Sequence, residues 1–238
     1  MIGVGINALG IVVGGIVGLT RKKPVTAANE SFFKVAMGAA TVFLGLQLTW
    51  QNLNGSVGIF FKQLLIVLIS MSLGKLIGKL LHLQKFSNSI GKYATSKMSG
   101  ANPAHGNFSD GLVVCALLSC ANPLAFFASV QEGLNGFAPA FVVKAVMDGL
   151  AAMAFVSVFG WGVMLAAIPV VAFQGTIFLL ARSLEPMLES HGLVDSILAT
   201  NGLLIFCVSL IILNLKKVEL TDYLPSLAIA PLITWFWK

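Results

Sequence analysis

The sequence predicts an all-α fold: a polytopic transmembrane helical bundle of about seven or eight spans, with an inverted repeat carrying interrupted helices as a candidate feature. Three observations predict it. Of 238 residues, 57% are hydrophobic and only 10% charged, and the mean hydropathy is +0.92; such a chain cannot clothe a soluble core in water-facing groups. Apolar runs long enough for the roughly 20 residues of a bilayer crossing recur along the chain, so residues 1–238 read as one membrane domain. Lys and Arg gather in alternate connections, the pattern that orients membrane proteins.

The first span runs from about Ile2 to Leu19 and carries Gly10, Gly14 and Gly18, a stripe that lets membrane helices approach backbone to backbone. Asn7 sits one turn before Gly10, either as interhelical hydrogen-bonding glue or as the lining of a polar site. Arg21, Lys22 and Lys23 follow at once and no basic segment leads, so the run reads as a retained helix and not as a cleaved signal. The second span covers about Phe32 to Trp50, with Gly38 and Gly45. The third, about Val57 to Leu81, repeats a small-residue stripe as Ser70, Gly74 and Gly78, and its Lys75 and Lys79 can reach the headgroups. From His82 to Ser109 the composition turns to Lys, Ser, Asn and Gly, which reads as one long basic loop with room for a short surface helix over Gly91 to Met98.

The fourth span, about Asp110 to Val130, is interrupted at Ala121-Asn122-Pro123. Proline removes a backbone donor and turns the preceding residue away from helical geometry. Asn is also a favoured N-cap and Pro a favoured first helical residue, so Asn122 and Pro123 read as the start of a second half-helix. Its N-terminus would present unpaired N–H groups to an anion or a coupling ion; the alternative is a kink whose freed carbonyl is met by Ser119 or a neighbour. Gln131 to Gly136 is expected to be a loop. It leads into the fifth span, about Pro139 to Gly160, and Gly160-Trp161-Gly162 turns into the sixth, about Val163 to Leu180. The sixth holds Pro169 at its middle, a second candidate break, and Gln174 near its end. The seventh covers about Ser196 to Leu215. Tyr223 to Trp237, short and holding Pro225 and Pro231, is either a thin eighth crossing or a re-entrant piece.

Lys144 and Asp148 stand out because both lie inside the fifth apolar run, four apart and so on one helix face. Each ionised side chain at the bilayer centre costs roughly 2.5–3.5 kcal/mol on an insertion scale. The pair either neutralises itself and locks the helix to its neighbours, or contacts an ion or solute in a polar cavity, the default expectation for intramembrane ionisable residues. Asn122 and the half-helix N-terminus, with Asn7 and Gln174, would complete the polar lining. Cys115, Cys120 and Cys207 lie in apolar runs without a CxxC, and His82, His105 and His191 share no ligand spacing; no disulfide framework, metal site or cofactor is expected. No Ser-His, metal or phosphate-loop constellation points to an enzyme. The net charge of +6 comes without a basic stripe, so nucleic acid is not an expected partner.

Starting outside, the connections at Thr20 to Ser31, His82 to Ser109 and Lys216-Lys217 fall inside and are basic. Those at Gln51 to Ser56, Gln131 to Gly136 and Ala181 to Asp195 fall outside and are neutral or acidic, with Lys62 a mild exception. Laid over the first span, the sixth aligns Gly162-Val163 with Gly3-Val4 and Pro169 with Gly10, while Gly202 and Ser209 match Gly38 and Gly45. Spans one to three and six to eight would then be inverted repeats, a secondary-transporter hallmark.

The stretches GVGINALGIVVGGIVGL, FSDGLVVCALLSCANPLAF, KAVMDGLAAMAFVSVFGWGV, FQGTIFLLA and YLPSL occur here in one order. In this the chain resembles, over almost its full length, an uncharacterised bacterial family of integral membrane proteins of unknown function typified by YdfK and YqgA. Lys144, Asp148 and Gly149 match that family's lysine-x-x-x-aspartate-glycine pattern, and Pro123 its proline break, with Asn122 standing where glycine is expected. The resemblance implies a multi-spanning membrane protein with transport as the expected role, and names no substrate. The expectation is therefore a secondary transporter or ion-coupled carrier of a small solute in the bacterial cytoplasmic membrane, with membrane lipids as partners. The alternative is a passive channel or lipid-interacting scaffold with a structural Lys-Asp pair. Small-residue faces on the first and third spans permit a homo-oligomer.

Overall fold

Small residues decide which helices meet in this chain. In a computed structural model, which describes residues 1–21, 26–53, 55–100 and 108–237, the elements are α1 (Ile2–Thr20), α2 (Ala27–Gln51), α3 (Val57–Leu80), α4 (Leu83–Gly100), α5 (Phe108–Ala121), α6 (Pro123–Asn135), α7 (Ala140–Phe159), a 3-10 segment (Trp161–Ala166), α8 (Ala167–Ser190), α9 (Val194–Ile212), a second 3-10 segment (Leu220–Tyr223) and α10 (Ser226–Phe236). No strand occurs among the described residues. Six helical segments are long and apolar enough to cross a membrane, and α5 with α6, bent by 62° at their junction, makes up to seven.

The contacts divide the chain into two compact units. One comprises Met1–Glu30 and Ser87–Leu180, the other Ser31–Phe86 and Ala181–Lys238. In the first, the glycine stripe of α1 lies on the backbone of α7. A Cβ on Gly10 would meet Ala145, one on Gly14 would meet Gly149, and one on Gly18 would meet Met153. The numbers rise together, so α1 and α7 are parallel. α8 runs antiparallel to α1: Gly15 faces Met164 just before α8, and Asn7 reaches Gln174 within it. An apolar core of Ile11, Val114, Ala152, Val156, Phe159, Val163 and Val170 fills the space between.

In the second unit, α2 and α9 are antiparallel and touch through glycine on both sides. Gly45 lies against Gly202 and Phe206, while Gly202 lies against Gly45 and Thr49; Thr49 donates to the Ala199 carbonyl at 3.3 Å. α3 and α10 are antiparallel as well, Gly74 facing Ser226 and Gly78 facing Asp222. The three small-residue stripes read from the sequence are thus three helix contacts. On the same face of α2, Gly38 lies against Leu213.

The structure corrects four sequence expectations and narrows a fifth. The basic loop over 82–109 is instead largely α4: Lys, Ser, Asn and Gly have only modest helix propensity, but the helix docks through Ala94, which belongs to the same apolar core as Val114 and Phe159. His105, like Lys22 and Lys23, lies outside the described residues. Gln131 to Gly136 is not a loop but mostly the last turn of α6, ended by Gly136 at φ 72°, a left-handed closure that suits glycine. Pro169 does not interrupt a span: it sits in the first turn of α8, where its missing N–H has no intrahelical partner to lose, and α8 continues through Arg182, Glu185 and Pro186 to Ser190, so the expected outer loop there is helical. Finally, α10 has 11 residues, about 16 Å at helical rise. That is half a hydrocarbon core, so the tail is no full crossing on its own.

Candidate functional site

The parallel packing of α1 on α7 carries Asn7, one turn ahead of the glycine stripe, to Asp148, and α8 brings Gln174 to the same point. Lys144 Nζ donates to Asp148 Oδ2 at 2.7 Å. Asn7 Nδ2 donates to the same oxygen at 3.1 Å and to Gln174 Oε1 at 3.3 Å. Asn7, Lys144 and Gln174 are fully buried and Asp148 is 5% exposed. The amide orientations are fixed by this company: turning Asn7 over would set its oxygen against a carboxylate, and turning Gln174 over would set two donors face to face.

Two polar atoms here find no partner among the described residues, Asn7 Oδ1 and Gln174 Nε2. Buried polar groups are nearly always satisfied, so this cluster is chemically incomplete as the polypeptide alone. From α5, Cys115 and Cys120 come near enough to Lys144 and Asp148 to feel the charge of both.

Four of the expected site residues, Asn7, Lys144, Asp148 and Gln174, therefore come together. Asn122 does something else. Its side-chain oxygen accepts from Leu124 N at 3.0 Å, Ala125 N bonds to its carbonyl at 2.9 Å, and Pro123 at the first helical position has no N–H to offer. The half-helix is real, but the unpaired donors expected at its N-terminus are closed by its own cap. Pro123 supplies the bend; Pro169 supplies none.

Sequence reasoning missed Glu132. It is 1% exposed in α6 and accepts from Gly3 N at 2.7 Å and Val4 N at 3.3 Å, with the Met1 amino group 3.1 Å away. A carboxylate at a helix N-terminus meets orphan donors and the positive end of the dipole. Its one signal was an acidic residue closing the apolar run Pro123 to Val130, masked by the turn-like Gly-Leu-Asn-Gly that follows.

Fold and site define the class: a helical, polytopic membrane protein with a buried ion pair held between helices. The chain belongs to the family described as "Protein of unknown function (DUF554)", whose model matches residues 2–235. It is similar to the "Uncharacterized membrane protein YdfK" of Bacillus subtilis (strain 168), 29% identical over 234 residues, covering 98% of this chain and 95% of that protein. It is also similar to the "Uncharacterized protein YqgA" of Escherichia coli (strain K12), 27% identical over 243 residues, covering 100% of this chain and 97% of the relative. No solved structure matches.

Proposed function

We propose that this protein is a secondary transporter or ion-coupled carrier of a small solute, with its binding site at Asn7, Lys144, Asp148 and Gln174. The observation that carries the reading is the incomplete cluster: an ion pair inside a membrane-spanning helix, flanked by a fully buried acceptor on Asn7 and a fully buried donor on Gln174 that none of the described residues satisfies. A purely structural pair would gain nothing from leaving these two atoms orphaned at a cost of about 1–3 kcal/mol each.

The helix directions support the transporter architecture. Parallel α1 and α7 require an odd number of crossings between them, which α2, α3 and the bent α5–α6 pair supply only if that pair crosses once. Antiparallel α2 and α9 require the same. Counted this way, each of α1, α2 and α3 packs antiparallel on the helix that an inverted repeat would make its counterpart, α8, α9 and α10 respectively. Asn7 and Gln174 then come one from each repeat, the usual place for a transported ligand. The same count puts Arg21, Lys75, Lys79, Lys85, Lys92, Lys97, Lys216 and Lys217 on one side, which we assign to the cytoplasm, with the N-terminus outside the bacterial cytoplasmic membrane.

The test is counterflow in proteoliposomes against a panel of labelled amino acids, sugars and organic acids. Wild type exchanges one of them, and Asp148→Asn, folded and inserted, loses that exchange. Unchanged exchange in the variant removes Asp148 from the mechanism. A second reading, a channel or scaffold braced by the pair, draws on the complete burial of Lys144; it requires Asp148→Asn to lower thermal stability and leave flux alone.

A further inference from the structure

We propose that the ion exchanged at this cluster is a proton taken up on Asp148, and that its uptake releases Lys144 from the carboxylate. The proposal deepens the carrier reading and rests on it. Both bonds that Asp148 accepts, from Lys144 and Asn7, converge on Oδ2; Oδ1 takes none. The Lys144 ammonium thus already occupies the place a metal cation would take against this carboxylate.

The surrounding polar atoms fit a metal ion poorly. Hard cations take about six oxygen ligands. Here Asn7 turns its amide hydrogens toward the Asp148 carboxylate and the Gln174 oxygen, and among the described residues the side-chain oxygens left without a bond are Asp148 Oδ1 and Asn7 Oδ1. Among the described residues no group of three His, Cys, Asp or Glu side chains gathers that could hold a metal. A proton needs one lone pair, and Oδ1 has it.

The consequences follow from burial. A hydronium ion gives up one O–H proton to Oδ1 and leaves as water, the carboxyl becomes neutral, and Lys144, still carrying its own protons, is left as an ammonium with no exposed surface. An unpaired charge in that position is not tolerated, so Lys144 must leave or find a new acceptor. The orphaned Asn7 Oδ1 offers one, and Gln174 Nε2 offers the carboxyl a donor. Because Asn7 holds Asp148 on α7 and Gln174 on α8 at once, the change reaches three helices. Loss of the proton on the opposite side restores the pair. The other titratable groups facing it are the Cys115 and Cys120 thiols of α5; α1 and α8 contribute the neutral amides, and Glu132 of α6 is engaged with the start of α1.

Infrared difference spectra of the purified protein in nanodiscs, titrated in choline chloride, sodium chloride and potassium chloride, decide the matter. A carboxylic C=O band grows on acidification, disappears in Asp148→Asn, and has one midpoint in all three salts. Should Asp148→Asn fail to fold, selective isotope labelling of the aspartates assigns the band in wild type. A midpoint displaced by sodium or potassium overturns the proton and leaves the carrier reading standing. An Asp148 that stays ionised over the whole range in which the fold survives also overturns the proton, and the counterflow of Asp148→Asn decides separately whether the carrier reading falls with it.

Discussion

Gly14 and Asn7 divide the work of α1 between packing and polarity. A Cβ on Gly14 would run into the Gly149 carbonyl, which is backbone and cannot swing aside. Gly14→Ala is therefore expected to lower the melting temperature in detergent, with an overpacking cost of about 1–3 kcal/mol, and to weaken the Asn7–Asp148 contact by prising α1 from α7. Glu132 supports the same helix from its beginning. Glu132→Ala strips the acceptor from the Gly3 and Val4 amides and is expected to cost about 1–3 kcal/mol. Glu132→Gln, which keeps one acceptor oxygen, should cost less, and thermal denaturation of the two variants checks the order.

Among the elements, α6 and α4 carry the sharpest tests. Asn122 caps α6 with its own side chain, so Asn122→Ala is expected to destabilise by about 1 kcal/mol and Asn122→Gly by only a few tenths. If Asn122 instead lined the solute path, both would impair flux equally. In α4, a Cβ on Gly91 would meet open space. Gly91→Ala should then raise stability by about 0.5–1 kcal/mol, an outcome a loop over these residues would not produce. Lys97 joins α4 to α5 through Asp110 at 2.9 Å. The hydrogen bond from Lys97, and then the carboxylate's charge, hold the ammonium above its ordinary 10.5. A raised folded value means that this contribution is complete below 10.5 and fades only as pH rises beyond it. Lys97→Ala is accordingly expected to lower stability by a constant amount at neutral pH, with the difference from wild type closing only as pH rises past 10.5 in a pH-dependent thermal denaturation.

At the scale of the whole molecule the crossing count is open to direct test. With Cys115, Cys120 and Cys207 replaced, single cysteines at Arg21 and Phe137 are expected to react with an impermeant thiol reagent from opposite sides of the membrane. Labelling from the same side would make α5 and α6 a re-entrant hairpin and remove the inverted repeat. The chain's low charge and apolar runs made the helical membrane class readable, and the Asn122-Pro123 pair made the break readable. Helix ends inside amphipathic or mixed stretches were not: α4 docks through Ala94 and the end of α6 is buried, contacts that composition does not display, while the second half of α8 stays helical although largely exposed.

The sequence by itself determined the solvent this protein lives in, the faces on which its helices pack, and the presence of a lysine and an aspartate one turn apart in an apolar span. Hydropathy and small-residue spacing are local properties of the chain, so they can be read without coordinates. Only the tertiary structure decided that Asn7 bonds to that pair and Gln174 to Asn7 while Asn122 caps its own helix, and that Glu132 holds the start of α1. Those contacts join residues more than a hundred positions apart, and their existence depends on helix direction and register, which no single segment encodes.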